Sequence, residues 1–512
     1  MISLEQAICW DIETLPNCIT VTAEMLNHDT IYTWEISDRR DDRAGLREWM
    51  NWLNAGQIPM IGFNSESFDY PVTHVLWTNP QATYRDIYAK SQAIIGGDER
   101  FAHTVWPRDR FAPQIDLYKL HHMDNRAKTT SLKALQFNMR SPSVMDSPIP
   151  FGVDVSSDDI DRYLIPYNRH DVSQTKRFAQ NSMGAIEFRL GLVEQFGVEC
   201  LSWNDTKIGE KMLEDRLGEA VCYKRVPIIG RDGQPWVDYA TGEPKTKKEK
   251  RQTIRSSIRL ADIIFPYIQF QTPEFQRVHQ FMMQQVLTPD DLEDPDATIK
   301  TKGVFTDLHA MVGPLRFDFG TGGVHASLEN QRFIATDEWP IRDIDVAALY
   351  PSIAVVNRLA PEHLGDVFVN EFAELLVERK KHAKGTYMNA ALKLAANGAY
   401  GKSNSRYSVL YDPRFTMQIT INGQLMLCML AEWIAAVPTV RILQVNTDGI
   451  TYQIHRDHMD TAIALEQQWQ AYTCLVLEDA QYQSMWLADV NSYVAQDTKG
   501  KLKLKGRYAY PE

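Results

Sequence analysis

Short apolar runs alternate with amphipathic stretches through the first 185 residues. AICWDI and IPMIGFN are short and bounded by polar or turn residues, so they predict strands. Helical spacing between them makes residues 1–185 an α/β domain, with the Pro- and Ser-rich stretch 141–150 as an internal loop. Residues 186–335 carry weaker patterning: a basic run, the acidic stretch 289–296, and FGTGGVH at 319–325. They read as an intervening and linker region. Strands return from about 336, in PIRDIDVAALY, RILQVNTDG and ITYQI, giving an α+β region over 336–370 and 402–512. Between these two pieces, EFAELLVERKKHAK and YMNAALKLAANGAY predict a helical hairpin over 371–401, broken at Lys384–Gly385–Thr386. The apolar stretch Gln424–Val437 is interrupted by Glu432 and is shorter than the ~20 residues that span a bilayer, so it predicts a buried helix.

Composition adds bounds. A chain of 512 residues has room for two to four domains of ~100–200 residues each. The net charge of -12 is unusual for a nucleic-acid binder, yet acid that ligates metal or faces water says little about partners. Basic charge is concentrated from Lys224 to Arg259, where ten Lys and Arg stand against four Asp and Glu. That run reads equally well as a solvated loop or as a phosphate-contacting strip. Six scattered cysteines without a CxxC pair argue for a reducing compartment and against structural zinc. With no signal peptide and no membrane partner indicated, a cytoplasmic location is expected.

Acidic residues supply the chemistry. Asp11 and Glu13 sit two apart on a strand and face one side. Asp69 follows the second apolar segment, and Asp171 stands four residues after Tyr167, on one helical face. Four carboxylates from three segments suit two divalent ions in phosphodiester hydrolysis, with Tyr167 placed to orient a water. A second set pairs Asp345, at a strand end, with Asp448, where Asp-Gly signals a hairpin tip. Such hard oxygen donors favour Mg²⁺ or Mn²⁺, two ions at each site. Between them Lys393, Asn397, Tyr400 and Gly401 recur at i, i+4, i+7 and i+8 on one helical face. A stripe of that spacing is either core packing or a phosphate- and base-contacting face.

The ordered set DIE, NSESFD and YNRHD resembles the exonuclease motifs of DEDD proofreading nucleases, in the tyrosine subclass, since Pro166 occupies the place of that family's alternative histidine. DIDVAALYPSI, KLAANGAYG and NTDG resemble motifs A, B and C of family B DNA polymerases, and KGRYAY resembles the primer-holding KxRY element. The resemblance spans nearly the whole chain in the family's order and is closest to the short phage-like type. It implies an RNase H-like exonuclease domain, then a right-hand palm with the helical hairpin as fingers. It implies that Asn64 and Phe68 place a single-stranded 3′ end. Lys393, Asn397, Tyr350, Tyr400 and Arg379 would contact dNTPs, with Tyr350 as a gate against the ribose 2′-hydroxyl. Lys505, Arg507, Tyr508, Gly322 and Gly323 would contact primer-template DNA. Ala348, Gly398, Asn446, Gly449 and Gly506 depart from the motifs. About forty residues separate motif A from motif B, too few for the insertions of protein-primed members, so a nucleic-acid primer is expected. The family's thumb would follow Tyr508. The expectation is that it is missing or supplied by another chain, or that a processivity factor assists. The alternative is a 3′→5′ exonuclease whose inactive polymerase half serves as a DNA-binding scaffold.

Overall fold

Strand Ile8–Leu15 (β1) alternates sides, and that alternation organises the first half of the chain. The computed structural model describes residues 2–97, 101–125, 128–197, 199–230, 232–290, 298–301 and 303–509. Most of the acidic stretch 289–296, and Tyr510 of KGRYAY, lie outside them. The chain divides into two compact units, Met1–Ile208 and Gly209–Glu512.

In the first unit β1 pairs antiparallel with β2 (Cys18–Met25), which pairs with β3 (Ile31–Ser37). On its other side β1 runs parallel to β4 (Met60–Gly62), and β4 to β5 (Gln114–Asp116), giving the order β3-β2-β1-β4-β5. Ile8, Trp10 and Ile12 of β1 enter one core with residues of α1 (Arg43–Gly56), α2 (Asp69–Thr78) and α3 (Tyr84–Ile95). Cys9 enters a second core with Val172 and Phe178 of α4 (Ile165–Asn181) and Ile186 of α5 (Met183–Phe196). Each such apolar side chain, once buried, contributes about 1.5–3 kcal/mol before entropy is counted. By the same alternation Asp11 and Glu13 share the Cys9 face, towards α4.

The second unit holds a ten-stranded antiparallel sheet. Its strands are β10 (His309–Val312), β11 (Leu315–Phe319), β12 (Val324–Ser327), β13 (Gln331–Ile334), β14 (Ile341–Val346), β15 (Arg441–Val445), β16 (Gly449–Gln453), β17 (Leu477–Leu487), β18 (Tyr493–Asp497) and β19 (Leu502–Leu504). Their order in the sheet is β10-β11-β12-β15-β16-β14-β17-β18-β19, with β13 on β17. Two smaller ladders come earlier in the chain, β6 (Tyr223–Pro227) with β7 (Thr246–Lys250) and β8 (Ile258–Arg259) with β9 (Val286–Leu287). The basic run therefore includes a two-stranded ribbon.

Among the helices of this unit are α6 (Pro273–Gln284), α7 (Leu349–Val356), α8 (Gly365–Lys381), α9 (Tyr387–Lys402), α10 (Pro413–Ala435) and α11 (Met459–Thr473). α10 holds the stretch expected to be buried except for its last two residues, Ala436 and Val437, and is buried nearly all round. Its Glu432 accepts backbone N–H bonds from Gln271 and Thr272, which is how a carboxylate survives there. α8 and α9 form the expected hairpin. α8 starts at Gly365, ahead of the expected 371, because Phe368, Phe372 and Leu375 continue one buried stripe. Thr386 caps α9 by accepting from the Asn389 N–H. A buried ion pair, Arg342 to Glu466 at 2.8 Å, ties β14 to α11, with Tyr452 donating to the same carboxylate. Among the described residues no helix is long and apolar enough to cross a membrane.

Candidate active sites

The first cluster gathers on β1, α2 and α4. Asp69 opens α2, where the helix N-terminus favours negative charge, and accepts a 3.4 Å bond from the Ile12 N–H. On α4, Asn168 donates to Asp11 at 2.8 Å while Thr20 donates to Asn168 at 3.2 Å. Gln136, fully buried, donates to Asp171 at 3.3 Å and meets His170 at 3.2 Å. These neutral amides orient the carboxylates without cancelling their charge.

Electrostatics register the crowding. Burial, then Asp69, Glu13 and Asp171, push the Asp11 carboxyl well above its ordinary range. Burial, then Asp171 and Asp69, push Glu13 up to about 8. Asp69 rises to about 7, mainly through burial. Asp171 is raised by burial, against the Tyr167 hydroxyl, and Tyr167 is in turn raised by burial and by Asp171 and Glu13. All four carboxylates and the tyrosine thus share one neighbourhood. Among the described residues, no three His, Cys, Asp or Glu side chains are closed around a point as a cation cage. The donor chemistry nevertheless fits a hard divalent cation: oxygen ligands, several negative charges, and no ion pair to any of the four among the described residues. Closure around an ion would require the carboxylates to turn inward.

Asn64 and Phe68 lie on the loop between β4 and α2. Asn64 adopts the left-handed conformation (φ 60), which asparagine tolerates. Its backbone N–H and that of Glu66 both donate to Asp116, at 2.9 and 3.1 Å, pinning the loop to the end of β5. Asp116 is fully buried and, through burial and then Glu66, raised to about 6. Phe68 packs against the first core.

The second cluster centres on β14. Asp345 pairs in register with Gly449 of β16 and with Glu478 of β17. The Val346 N–H donates to the Asp448 carbonyl at 2.7 Å, which brings the hairpin tip beside the strand end. Asp345 is raised to about 6 by burial, then by Asp343, with Asp448 and Glu478 adding and Lys503 opposing. A Cβ on Gly449 would lie 1.8 Å from Asp345 Oδ1, so glycine at that position lets the carboxylate lean over the hairpin. Lys503 of β19 stands 3.2 Å from Asp343 and donates to Tyr482 at 2.9 Å. It neutralises Asp343, leaving Asp345, Asp448 and Glu478 as the excess negative charge. This donor set also fits Mg²⁺ or Mn²⁺.

Around these carboxylates the expected nucleotide-contacting residues partly converge. Tyr350 of α7 donates to the Gly322 carbonyl, and its ring lies 4.4 Å from that of Tyr400. Its phenol is raised by burial, then by Tyr400 and Asp448. A Cβ on Gly323 would meet Thr447 at 3.0 Å and the Tyr350 hydroxyl at 3.5 Å, so the glycine pair lies under this tyrosine. On α9, Lys393, Asn397 and Gly401 are exposed and Tyr400 half-buried, while Ala391, Leu392, Ala395, Ala396 and Ala399 fill the core side. The stripe is therefore a solvent-facing surface, with Tyr400 as its link to Tyr350. Arg379 is half-buried near the end of α8, where its carbonyl accepts from Asn389.

Lys505, Arg507 and Tyr508 are exposed on a single turn after β19, and Arg507 pairs with Asp489 at 2.7 Å. Gly506 adopts φ 58, and a Cβ there would lie 2.4 Å from the Asn491 carbonyl, which accounts for glycine in place of the motif's lysine. Ala348 is also left-handed (φ 48), a conformation costing roughly 1 kcal/mol at a non-glycine residue. Sequence reading missed Asn168, Gln136, Asp116, Asp343 and Lys503. Two carried a signal: Asp343 repeats the i, i+2 carboxylate spacing of Asp11 and Glu13, and Lys503 lies in an alternating KLKLK.

No protein-family model matches the chain, and no curated protein matches it. Among solved structures it is similar to the family B DNA polymerase from the hyperthermophilic archaeon Pyrobaculum calidifontis, with a TM-score of 0.44 and 14% sequence identity. That likeness covers 98% of this chain, which spans 60% of the length of the archaeal polymerase.

Proposed function

We propose that this chain is a DNA-templated DNA polymerase of the family B type, extending a nucleic-acid primer with dNTPs and removing 3′-terminal nucleotides at a separate exonuclease site. The observation that carries this reading is the register of β14, which sets Asp345 against Gly449 and Glu478 and brings Asp448 beside it. An RNase H-like first unit is supported by its β3-β2-β1-β4-β5 order, and a palm-like second unit by the antiparallel sheet bearing Asp345 and Asp448.

Asp345 and Asp448 would hold divalent cations, as would Asp11, Glu13, Asp69 and Asp171. Bound there, such ions supply Lewis acidity and lower the pKa of an attacking hydroxyl or water. The chain's own residues do the positioning. Lys393 meets the triphosphate as a point charge from the open face of α9. Tyr350, held by the Gly322 carbonyl and the Tyr400 ring, presents a fixed wall to the nucleotide sugar. In the first unit Tyr167 shares its hydroxyl with Asp171 and would orient a water, and Asn168 fixes the Asp11 carboxylate.

Primer extension with MgCl₂ and dNTPs on a recessed 3′ end tests the proposal. The expected result is a ladder to the template end, loss of single-stranded 3′ ends when dNTPs are withheld, and neither in EDTA. Degradation without extension, at any dNTP or metal concentration, would overturn the polymerase assignment in favour of a nuclease with an inactive second half.

A further inference from the structure

Residues 223–251 carry eight Lys and Arg against four Asp and Glu, within a chain of net charge -12. They fold as the β6–β7 ribbon, in which every residue of β7 is exposed. The two faces of this ribbon differ. On one, Arg225 stands opposite Lys248 and both approach Glu219, at 4.0 and 2.6 Å, while Lys250 donates to the Tyr407 carbonyl. Those cations are already answered by this chain. On the other, Lys224 pairs with Glu249 at 2.8 Å, whereas Lys247 faces Val226. Lys247 and its i−2 neighbour Lys245 have no ion pair among the described residues.

The ribbon ends in a hydrogen-bonded tip. Trp236 N–H donates to the Ile228 carbonyl at 2.8 Å, the Lys245 N–H to the Trp236 carbonyl at 2.6 Å, and the Asp238 N–H to the Glu243 carbonyl at 2.8 Å. The Trp236 ring lies against Gly230, where a Cβ would come within 2.8 Å of its indole nitrogen, yet the residue is 59% exposed. Tyr239 is fully exposed. Two open aromatic rings on a hydrogen-bonded tip, beside two lysines without an ion pair among the described residues, combine stacking surface with phosphate-complementary charge. An acidic peptide would use the lysines and leave the rings unexplained.

We propose that this ribbon is an arm that binds a single nucleic-acid strand, its phosphates against Lys245 and Lys247 and its bases stacked on Trp236 and Tyr239. The choice of DNA over RNA as that strand rests on the function proposed above; the arm itself does not.

Fluorescence anisotropy of the full chain in EDTA, with labelled dT20 and a labelled 20-base-pair duplex as probes, tests it. Lys245→Ala with Lys247→Ala should weaken dT20 binding about tenfold and reduce the salt slope by about 1.4, for two phosphates at ~0.7 each. Trp236→Ala with Tyr239→Ala should weaken it about tenfold at an unchanged slope. All four positions are exposed or solvent-facing, so thermal melts should match the unsubstituted chain. Unchanged dT20 affinity in both variants overturns the arm. Loss confined to the duplex probe overturns its assignment to a single strand. If neither extension nor degradation is found but the variants still lose dT20, the enzyme reading falls and the arm stands. If the enzyme is active and the variants bind normally, the arm falls alone.

Discussion

The two carboxylate clusters differ in how their charge is answered. In the first unit, Asp11 and Asp171 are held by the amides of Asn168 and Gln136, and Asp69 by a backbone N–H. Dipoles orient but do not neutralise, so Glu13 rises to about 8 and Asp69 to about 7. In the second, Lys503 sits on Asp343, and Asp345 rises only to about 6. The first site thus depends on an external cation, or on protons, for more of its stability. The second carries part of its counter-charge in its own sheet, on β19.

The sharpest way to break this comparison is to separate the two proposed activities. Asp345→Ala should reduce primer extension by about a thousandfold or more and leave 3′-end degradation within about twofold. Asp11→Ala with Glu13→Ala should do the reverse. Parallel loss of both activities in either variant would mean that the clusters are not independent sites. Next in size, Gly449→Ala places a methyl where Asp345 Oδ1 now lies. Extension should fall about a hundredfold, as expected for a misplaced reacting group, with degradation kept; the methyl would also lie 2.7 Å from the Ile344 carbonyl oxygen, so the second unit should lose some stability as well. Normal extension would show that Asp345 works from another rotamer.

Lys503→Met tests the internal counter-charge. It strands Asp343, which is 5% exposed, and should cost about 2 kcal/mol in urea unfolding, the lysine's partial exposure tempering the loss. Adding Asp343→Asn should recover most of it; no recovery would assign the loss to packing against Tyr482 instead. The smallest effect concerns pH. Glu13 and Asp69 are raised from the ~4.3 and ~3.9 of an unfolded chain, so the folded, metal-free chain binds more protons than the unfolded one between about pH 4 and 8. Stability from these groups is full below that window and is lost as pH rises through it. In EDTA the first unit should melt a few degrees lower at about pH 8.5 than at about pH 5.5, with Mg²⁺ removing most of the difference. A melting temperature that does not fall with pH in EDTA would remove the contrast between the clusters.

What could be read in the sequence divides along the same line. Asp11, Glu13, Tyr167 and Asp171 were legible because local periods, two on a strand and four on a helix, put them on shared faces. The α8–α9 hairpin was legible for the same reason, as was the Asp448–Gly449 tip. The groups that tune these carboxylates were not. Asn168 reaches Asp11, and Lys503 reaches Asp343, across more than a hundred positions of chain that no periodicity relates. The basic run was ambiguous because its charge is uniform along the sequence. Only pairing across the ribbon distinguishes the lysines ion-paired to Glu219 and Glu249 from those without an ion pair among the described residues.

Helix Pro413–Ala435 is mostly apolar and buried nearly all round, so it has no stable existence in water before its surroundings form. Those surroundings come from far apart: Ile341 of β14 pairs with Gln453 on one edge and Tyr482 on the other. During synthesis, a nascent chain that has just exposed this helix therefore still lacks the strands that shelter it. The second unit should need a holding chaperone on the ribosome over that interval, while the first, whose strands are all made by Asp116, can close early.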